Sequence, residues 1–402
     1  MFIIFPSGFV TLYRNISASA LHNSRARFPP PKCHSSTRKE ILATIIGCIT
    51  KTPSSSRILY LFGSEGTGKS AIAQTIAEYC KTNGILGASF FFSRVSMERN
   101  TDKNLIATLA YQLCVTIPEL KLFIAKAVED DLSTFQTDLD TQMERMIIKP
   151  IIQAADEGKT LRYPILIVID GLDECEGAKV QCAFLRAISG AIGQYSLPFY
   201  FFITSRRRGH IVNWLKEDRT PHRIMDLDKH HILTERDIRA YICSEFERIR
   251  SVHHIPESAG WPSQTGIQMV VSMTNMSFSR ASEIMAFIDQ KNSPSPETQL
   301  TIFLRTWGPG VIKASKPVEV LSNIQVASSA APNLNHVKPK SKPIICEEKG
   351  STVISGRVKV DGLKYRRRPN IKSDAIGQYP IGEKISITGF TQEGTTVVKG
   401  DA

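Results

Sequence analysis

The amino-acid sequence predicts an α/β fold built on a doubly wound parallel sheet. Apolar runs of strand length occur at residues 58–62, 165–169 and 199–203, and a fourth, broken only by Ser89, occurs at 88–92. Such runs are typical of strands that are covered on both faces, as in the middle of a parallel sheet. Segments with apolar residues at helical spacing separate the runs. Strands that alternate with helices favour a parallel sheet that binds its ligands at the carboxyl ends of the strands.

The chain before the first strand has little regular pattern. Residues 1–30 show only a weak pattern, and the prolines at 29–31 predict an extended segment over 28–34. Thr37, with Glu40 three residues later, fits a capping box at the start of a helix. The apolar side of this helix would carry Ile41, Leu42, Ile45, Ile46 and Ile49.

The chain after the sheet falls into three parts. A short strand at 223–227 is followed by helical patterns as far as residue 305. A Pro-, Ser-, Ala- and Lys-rich stretch without periodicity then predicts a linker. Alternating patterns at 356–360 and 384–390 predict strands of a small all-β unit. We therefore expect five regions: an N-terminal segment (1–30), an α/β domain (31–228), a helical subdomain (229–305), a linker (306–350) and a β domain (351–402).

Composition excludes some classes of protein. The 402-residue chain has a formal net charge of +12, which could attract nucleic acid. However, the basic residues are scattered apart from 206–208 and 366–368, and no nucleic-acid motif accompanies them. We therefore expect no specific nucleic-acid partner.

Cysteine usage and hydropathy predict a cytoplasmic protein. None of the 8 cysteines forms a C-x-x-C pair, so zinc is not indicated, and their apolar surroundings suit reduced thiols. No apolar run is long enough to cross a bilayer. The apolar segment 1–10 lacks a basic n-region, although Ala18-Ser19-Ala20 would serve as a cleavage site, so a signal peptide stays open as the alternative.

One motif predicts the function of the sheet. Residues 63–70 fit G-x-x-x-x-G-K-[ST], the phosphate-binding loop, between an apolar strand and a helical pattern. The loop's backbone N–H groups and the start of the helix would bind phosphates, with the Lys69 charge on the β- and γ-phosphates. The hydroxyl of Ser70 is a ligand for Mg²⁺. The predicted nucleotide-binding residues of this loop are Gly63, Ser64, Glu65, Gly66, Thr67, Gly68, Lys69 and Ser70.

Acidic and basic side chains end two further strands. Asp170 follows an apolar run and has the position of the acid that shares Mg²⁺ with Ser70. Asp173 or Glu174 would orient or deprotonate the attacking water. The sequence leaves that choice open, with a preference for Asp173. Arg206 ends the next strand and would contact the γ-phosphate. The expected ligands are therefore ATP, or GTP, with Mg²⁺.

These motifs together resemble those of the NACHT NTPases, which belong to the STAND class of signal-transduction ATPases. The phosphate loop, the D-G-L-D-E sequence at 170–174 and the T-S-R sequence at 204–206 carry the resemblance. Over residues 25–305 the chain is similar to nephrocystin-like NACHT modules of mushroom-forming fungi.

The resemblance implies an intracellular sensor or regulator of NLR-like type, a nucleotide switch that hydrolyses slowly and self-associates with ATP bound. It also implies that Thr37 and Arg38 help to form the base pocket, with a simple helix cap as the competing interpretation. Two features depart from the family: residues 278–281 lack its F-I-Y-A-like run, and no long repeat array is visible.

The C-terminal part suggests a rival function. Residues 352–402 resemble a partial bacterial-type SH3 domain, with 362–370 matching its L-x-x-R-x-x-P-x segment. This implies a module that binds cell-wall material or peptides and carries a passenger NTPase domain, although the intact Lys69, Ser70 and Asp170 argue against a degraded NTPase. A GTPase or a P-loop kinase is a third alternative, but no N-K-x-D motif and no marked acceptor pocket support it.

Overall fold

The computed structural model describes residues 6–50, 56–159, 161, 164–195, 197–290 and 295–307, together with five strands between 354 and 400. The chain divides into two compact units, Met1–Ile312 and Lys313–Ala402. All residues of the predicted site lie in the first unit.

A five-stranded parallel sheet forms the centre of the first unit. Its strands are β1 (Ile58–Phe62), β2 (Leu86–Phe91), β3 (Ile165–Asp170), β4 (Phe199–Ser205) and β5 (His222–Asp226). Their order in space is β2-β3-β4-β1-β5, so β4 lies between the strand before the phosphate loop and the strand that ends in Asp170. The predicted α/β fold class with a parallel sheet is confirmed.

Thirteen helices of the described residues surround and extend this sheet. They are α1 (Ser7–Arg14), α2 (Lys39–Thr50), α3 (Lys69–Thr82), α4 (Leu105–Thr116), α5 (Lys121–Asp130), α6 (Leu139–Met143), α7 (Lys149–Asp156), α8 (Ala178–Gln194), α9 (Gly209–Glu217), α10 (His231–Val252), α11 (Gln264–Met273), α12 (Phe278–Ile288) and α13 (Pro296–Trp307). Tyr60 and Phe62 of β1 pack in a core with α4 and α8, whereas Leu59 and Leu61 pack with α2 and α3. Helices therefore cover both faces of the sheet, as its largely apolar central strands require.

Helices α10 to α13 form the helical subdomain and have a core of their own. Ile242 and Phe246 of α10 are buried with Val270 of α11, Met285 of α12 and Phe303 of α13. Because this core is separate from the two cores of the sheet, the subdomain touches the α/β part through specific contacts at its edge. Two of these contacts, described below, lie at the phosphate loop.

The N-terminal segment contains regular structure that its weak pattern did not reveal. Helix α1 packs against α4 and α5, with Leu12 fully buried. The backbone N–H of Ser17 donates to Thr108 Oγ1 at 2.9 Å, and that of His22 donates to Ser89 Oγ at 3.1 Å. Among the described helices, none is by itself long and apolar enough to cross a membrane; α4 and the following helix pass such a test only together, across a bend of 117°.

The start of α2 differs from the predicted capping box. The helix begins at Lys39, and the carbonyl of Arg38 accepts its first bond, from the N–H of Leu42 at 2.9 Å. Arg38, in the left-handed region with φ 57°, is therefore the N-cap, and Thr37 lies one residue before it. The capping-box prediction is wrong because a tertiary contact of Arg38, described below, decides where the helix begins.

The second unit contains antiparallel β-structure, in agreement with the predicted all-β character. Its described strands are β6 (Ile354–Arg357), β7 (Leu363–Arg366), β8 (Ala375–Tyr379), β9 (Lys384–Phe390) and β10 (Thr396–Gly400). Strands β10, β9 and β6 form one sheet, and β7 pairs with β8. Strand β9 lies where the sequence places it, whereas the first strand begins two residues before the expected 356–360. The expected linker at 306–350 lies outside the described residues, except for the last two residues of α13.

Candidate nucleotide-binding site

A cavity of about 660 Å³ opens at the carboxyl ends of β1, β3 and β4. We call the lining from the phosphate loop and the acidic loop after β3 the phosphate side. We call the lining from residues 31–34, 37 and 38 and from the helices α10 and α12 the helical side. A volume of this size is typical of small-molecule sites, and the carboxyl ends of parallel strands are where α/β folds bind ligands.

The phosphate loop has the backbone geometry of an anion-binding site. Gly66 and Gly68 have φ values of 77° and 88°, which a residue with a side chain adopts only with strain. Helix α3 begins at Lys69, directly after the loop, so its first N–H groups lie at the cavity. Lys69 Nζ donates to the carbonyl oxygens of Gly63 and Ser64, both at 2.8 Å. Burial lowers the pKa of Lys69, and the charges of Asp173 and Asp170 oppose that shift.

Asp170 and Ser70 lie together, as the magnesium prediction requires. Asp170 is only 4% exposed, and it accepts hydrogen bonds from the hydroxyls of Thr204, at 2.6 Å, and Ser70. Burial raises the pKa of Asp170, while these two hydrogen bonds lower it. Thr204 also accepts the N–H of Gly171 at 2.9 Å, so it fixes the turn that follows the acid. A carboxylate and a hydroxyl beside a phosphate loop are a donor set that fits Mg²⁺ with water and phosphate ligands.

The carboxylate of Asp173 forms ion pairs with arginine side chains. It accepts the backbone N–H of Arg206 at 2.9 Å and its Nε–H at 2.6 Å. Guanidinium nitrogens of Arg94 and Arg208 lie 3.5 and 3.6 Å from Asp173 Oδ2. Burial works to raise the pKa of Asp173, but the hydrogen bonds and charge of Arg206 hold it below its usual value. A carboxylate held in this way is a poor proton acceptor.

Glu174 has the opposite electrostatics. Burial raises its pKa, and the nearby charges of Asp170 and Asp173 raise it further, against a hydrogen bond from the backbone N–H of Arg94 at 3.0 Å. A carboxylate with a raised pKa is a better general base than one with a lowered pKa. The directions of the two pKa shifts therefore favour Glu174 over Asp173 as the general base, the reverse of the preference drawn from the sequence.

Arg206 lies at the cavity with two carboxylate partners. Its Nε edge is held by Asp173, and its Nη1 donates to Glu65 Oε2 of the phosphate loop at 2.6 Å. The guanidinium is thus close to the loop, where the γ-phosphate contact was predicted.

Thr37 and Arg38 both line the cavity, but Arg38 acts mainly as a bridge. Its N–H donates to Asp237 Oδ2 at 2.9 Å, its Nη1 to Thr234 Oγ1 at 3.0 Å and its Nη2 to the carbonyl of Thr67 at 2.8 Å. Burial lowers the pKa of Arg38, and the charge of Asp237 opposes this. Arg38 therefore connects the phosphate loop to α10. The hydroxyl of Thr37 donates to the carbonyl of His34 at 3.0 Å, which keeps the segment before α2 turned toward the cavity.

The sequence led us to expect the nucleotide against the helical subdomain, but it did not identify the residues of that subdomain that line the cavity. Phe278, the first residue of α12, donates its N–H to the carbonyl of Gly66 at 2.8 Å, and its ring lies 4.8 Å from the Arg38 guanidinium. Phe278 is the first residue of the stretch 278–281 that departs from the family pattern. This departure was the only feature of the sequence that drew attention to the position. The other cavity residues that were not predicted are Pro31, Lys32, Cys33, His34, Ala71, Gly171, Thr204, Tyr241, Ser279 and Ser282.

The fold and the site define a P-loop NTPase. A family model described as "Nephrocystin 3, N-terminal" matches residues 41–206, a stretch that contains the phosphate loop, the acidic loop and Arg206. No curated protein matches the sequence.

Several solved structures are similar to the chain. C. elegans PCH-2 is 11% identical, with 75% of this chain and 72% of that chain covered and a TM-score of 0.37. Rhizobiales Trip13 is 13% identical, with coverages of 77% and 90% and a TM-score of 0.32. Drosophila ORC bound to DNA is 14% identical, with coverages of 67% and 66% and a TM-score of 0.38.

Proposed function

We propose that this protein is a nucleotide-dependent switch that binds MgATP between its α/β part and its helical subdomain. The observation that carries the proposal is the contact of α12 with the phosphate loop, where the N–H of Phe278 donates to the carbonyl of Gly66. A ligand bound to this loop would touch both parts of the unit. Such a ligand can bias the relation of the two parts if it binds one arrangement more tightly than the other.

The residues on the phosphate side have separate tasks. The phosphate loop and the start of α3 would bind the β- and γ-phosphates, with the Lys69 amine moved from the carbonyls of Gly63 and Ser64 to phosphate oxygens. Ser70 and Asp170 would hold Mg²⁺, which neutralises phosphate charge when bound. Glu174 would accept the proton of the attacking water, and Asp173 would position Arg206 for the γ-phosphate.

The base would lie against the other side of the cavity. This side is formed by residues 31–34, 37 and 38 and by Tyr241, Ser279 and Ser282. Because the sequence has no N-K-x-D motif to read guanine, ATP is the preferred nucleotide over GTP.

The biological class of the switch follows from the resemblance to the NACHT modules. The match to the nephrocystin 3 N-terminal model over residues 41–206 supports it. The proposed role is an intracellular, NLR-like sensor or regulator that hydrolyses slowly and self-associates when ATP is bound, because the output of a switch is a state rather than a product.

Binding of a fluorescent ATP analogue to the full chain tests the proposal. We expect strong loss of binding for Lys69→Ala, because the amine supplies the positive charge for the phosphates. Asp170→Ala should keep part of the binding and lose its dependence on Mg²⁺. Glu98→Gln, outside the cavity, serves as the control. Equal binding by all variants would defeat the assignment of the site.

A further inference from the structure

Glu65 is a member of the site whose individual role the phosphate-loop motif does not explain. It is the third residue of the loop, and its side chain is 85% exposed. Its Oε2 accepts a hydrogen bond from Arg206 Nη1 at 2.6 Å. The guanidinium that the proposed function assigns to the γ-phosphate is therefore paired with a carboxylate of the phosphate loop itself.

The two carboxylates on Arg206 differ in how firmly they hold it. Asp173 has a side chain that is 2% exposed, and it accepts both the backbone N–H and the Nε–H of Arg206. Removing a partner from a buried ion pair is costly, whereas an exposed ion pair contributes little. Asp173 therefore fixes the Nε edge of Arg206, and the bond of Nη1 to Glu65 is the one that can be exchanged.

We propose that Glu65 is a specificity-determining residue that competes with the γ-phosphate for Nη1 of Arg206. The inference rests on the proposed nucleotide site. A nucleoside diphosphate leaves the Arg206–Glu65 pair intact, because it has no γ-phosphate. A nucleoside triphosphate replaces Glu65 at Nη1, while Nε stays on Asp173. Glu65 thus lowers the preference of the site for ATP over ADP, because only the triphosphate has to break the pair of Arg206 with Glu65.

The position of Glu65 gives this exchange a route to the helical subdomain. Glu65 is followed by Gly66, whose carbonyl accepts the N–H groups of Phe278 at 2.8 Å and Ser279 at 3.4 Å. When Arg206 releases Glu65, the loop loses a tether next to the residue that contacts α12. The exchange therefore distinguishes ATP from ADP. It also weakens the attachment of the loop residue that contacts α12, and with it the contact between the α/β part and the helical subdomain.

The test is a comparison of ATP and ADP affinities, measured with fluorescent analogues and Mg²⁺ on the full chain. For Glu65→Gln we expect ATP binding about fivefold tighter, the upper range for loss of an exposed competing pair, and ADP changed by less than about twofold. In an Arg206→Gln background, Glu65→Gln should leave the ratio of the two affinities unchanged. The gain should also shrink in high salt, since exposed pairs are screened.

Asp228→Asn is the matched control. Asp228, which follows β5, accepts the N–H and hydroxyl of Ser64 at 3.0 and 2.9 Å, so it is a carboxylate that bonds to the same loop through Ser64 and not through Arg206. Its removal should change ATP and ADP by a common factor. Equal factors for Glu65→Gln, or an unchanged gain in the Arg206→Gln background, would overturn this inference alone. Absence of nucleotide binding by the unaltered chain would overturn the proposed function as well.

Discussion

The two sides of the cavity are encoded in different ways. The residues of the phosphate side come mainly from two short contiguous motifs, 63–70 and 170–174, each placed at the end of a buried strand. The helical side is assembled from residues 31–34, 37 and 38 and from Tyr241 and Phe278, which come from three distant parts of the sequence. The comparison shows that a contiguous motif identifies which ligand a site binds. Which other part of the protein responds to that ligand depends on tertiary contacts that the motif does not contain.

The two sides also differ in what holds them together. On the phosphate side, charged groups neutralise each other in pairs, such as Asp173 with Arg206. Where the two sides meet, one buried residue, Arg38, bonds to the phosphate loop and to α10 while its guanidinium lies over Phe278 of α12. A variant at that junction should therefore lower mainly the free energy of unfolding. A variant on the phosphate side should change mainly nucleotide binding or hydrolysis.

The largest effect is expected at the junction. Asp237 is 4% exposed and accepts the N–H of Arg38, so Asp237→Ala leaves a buried donor without a partner and a buried cation without its main counter-charge. We expect the free energy of unfolding to fall by about 3 kcal/mol, measured by urea denaturation. Glu40→Ala breaks the exposed pair with Arg236 and should cost less than about 1 kcal/mol. Similar losses for both variants would show that Arg38 is not the connection between the two sides.

The sequence predicted those site residues whose type and spacing along the chain are enough to determine where they lie in the fold. Because a strand, a glycine-rich loop and a helix follow one another directly, the position of the Lys69 backbone is determined by the motif. Asp170 directly follows the apolar run of a strand, so it lies at the carboxyl end of that strand. The sequence preferred Asp173 to Glu174, the reverse of what the pKa directions favour, because the electrostatics of both acids depend on Arg94 and Arg206, which come from two other strand ends. It also could not foresee the start of α2, since the position of Arg38 is set by Thr67 and Asp237.

A smaller effect is expected for the choice of general base. Glu174→Gln should reduce ATP hydrolysis about 100-fold while nucleotide affinity is kept, because the amide cannot accept the proton. In the unaltered chain, hydrolysis should fall as the pH drops through the pKa of Glu174. That fall should come at a pH above the usual range of a glutamate, since burial raises this pKa. Steady-state phosphate release, assayed between about pH 5 and 8, measures the effect of Glu174→Gln and the pH dependence of the unaltered chain.

Asp173→Asn is the variant to compare with Glu174→Gln. Because Asp173 positions Arg206, its loss should weaken binding of ATP more than binding of ADP, together with a loss of stability. If Asp173→Asn abolished hydrolysis at saturating ATP and Glu174→Gln did not, the assignment of the base would be reversed.

The smallest effect is expected at Gly66, where the two sides touch. Gly66 has φ 77°, and a Cβ at this position would collide with Ser277 Oγ, the atom that caps α12 by accepting the N–H of Arg280 at 3.2 Å. Gly158 has φ 76° with no atom within 4 Å of a Cβ, so Gly158→Ala measures the backbone strain alone, about 1 kcal/mol.

Gly66→Ala should cost about 1 kcal/mol more than Gly158→Ala, because it adds displacement of the α12 cap to the same strain. The excess should appear as faster proteolysis of the helical subdomain, since the contact of α12 with the loop is weakened. Adding Ser277→Gly should recover part of the loss, because it removes the colliding hydroxyl and glycine is a tolerable N-cap. Equal costs at Gly66 and Gly158 would mean that the phosphate loop and α12 are not mechanically connected, and a nucleotide on the loop would then have no path to the subdomain.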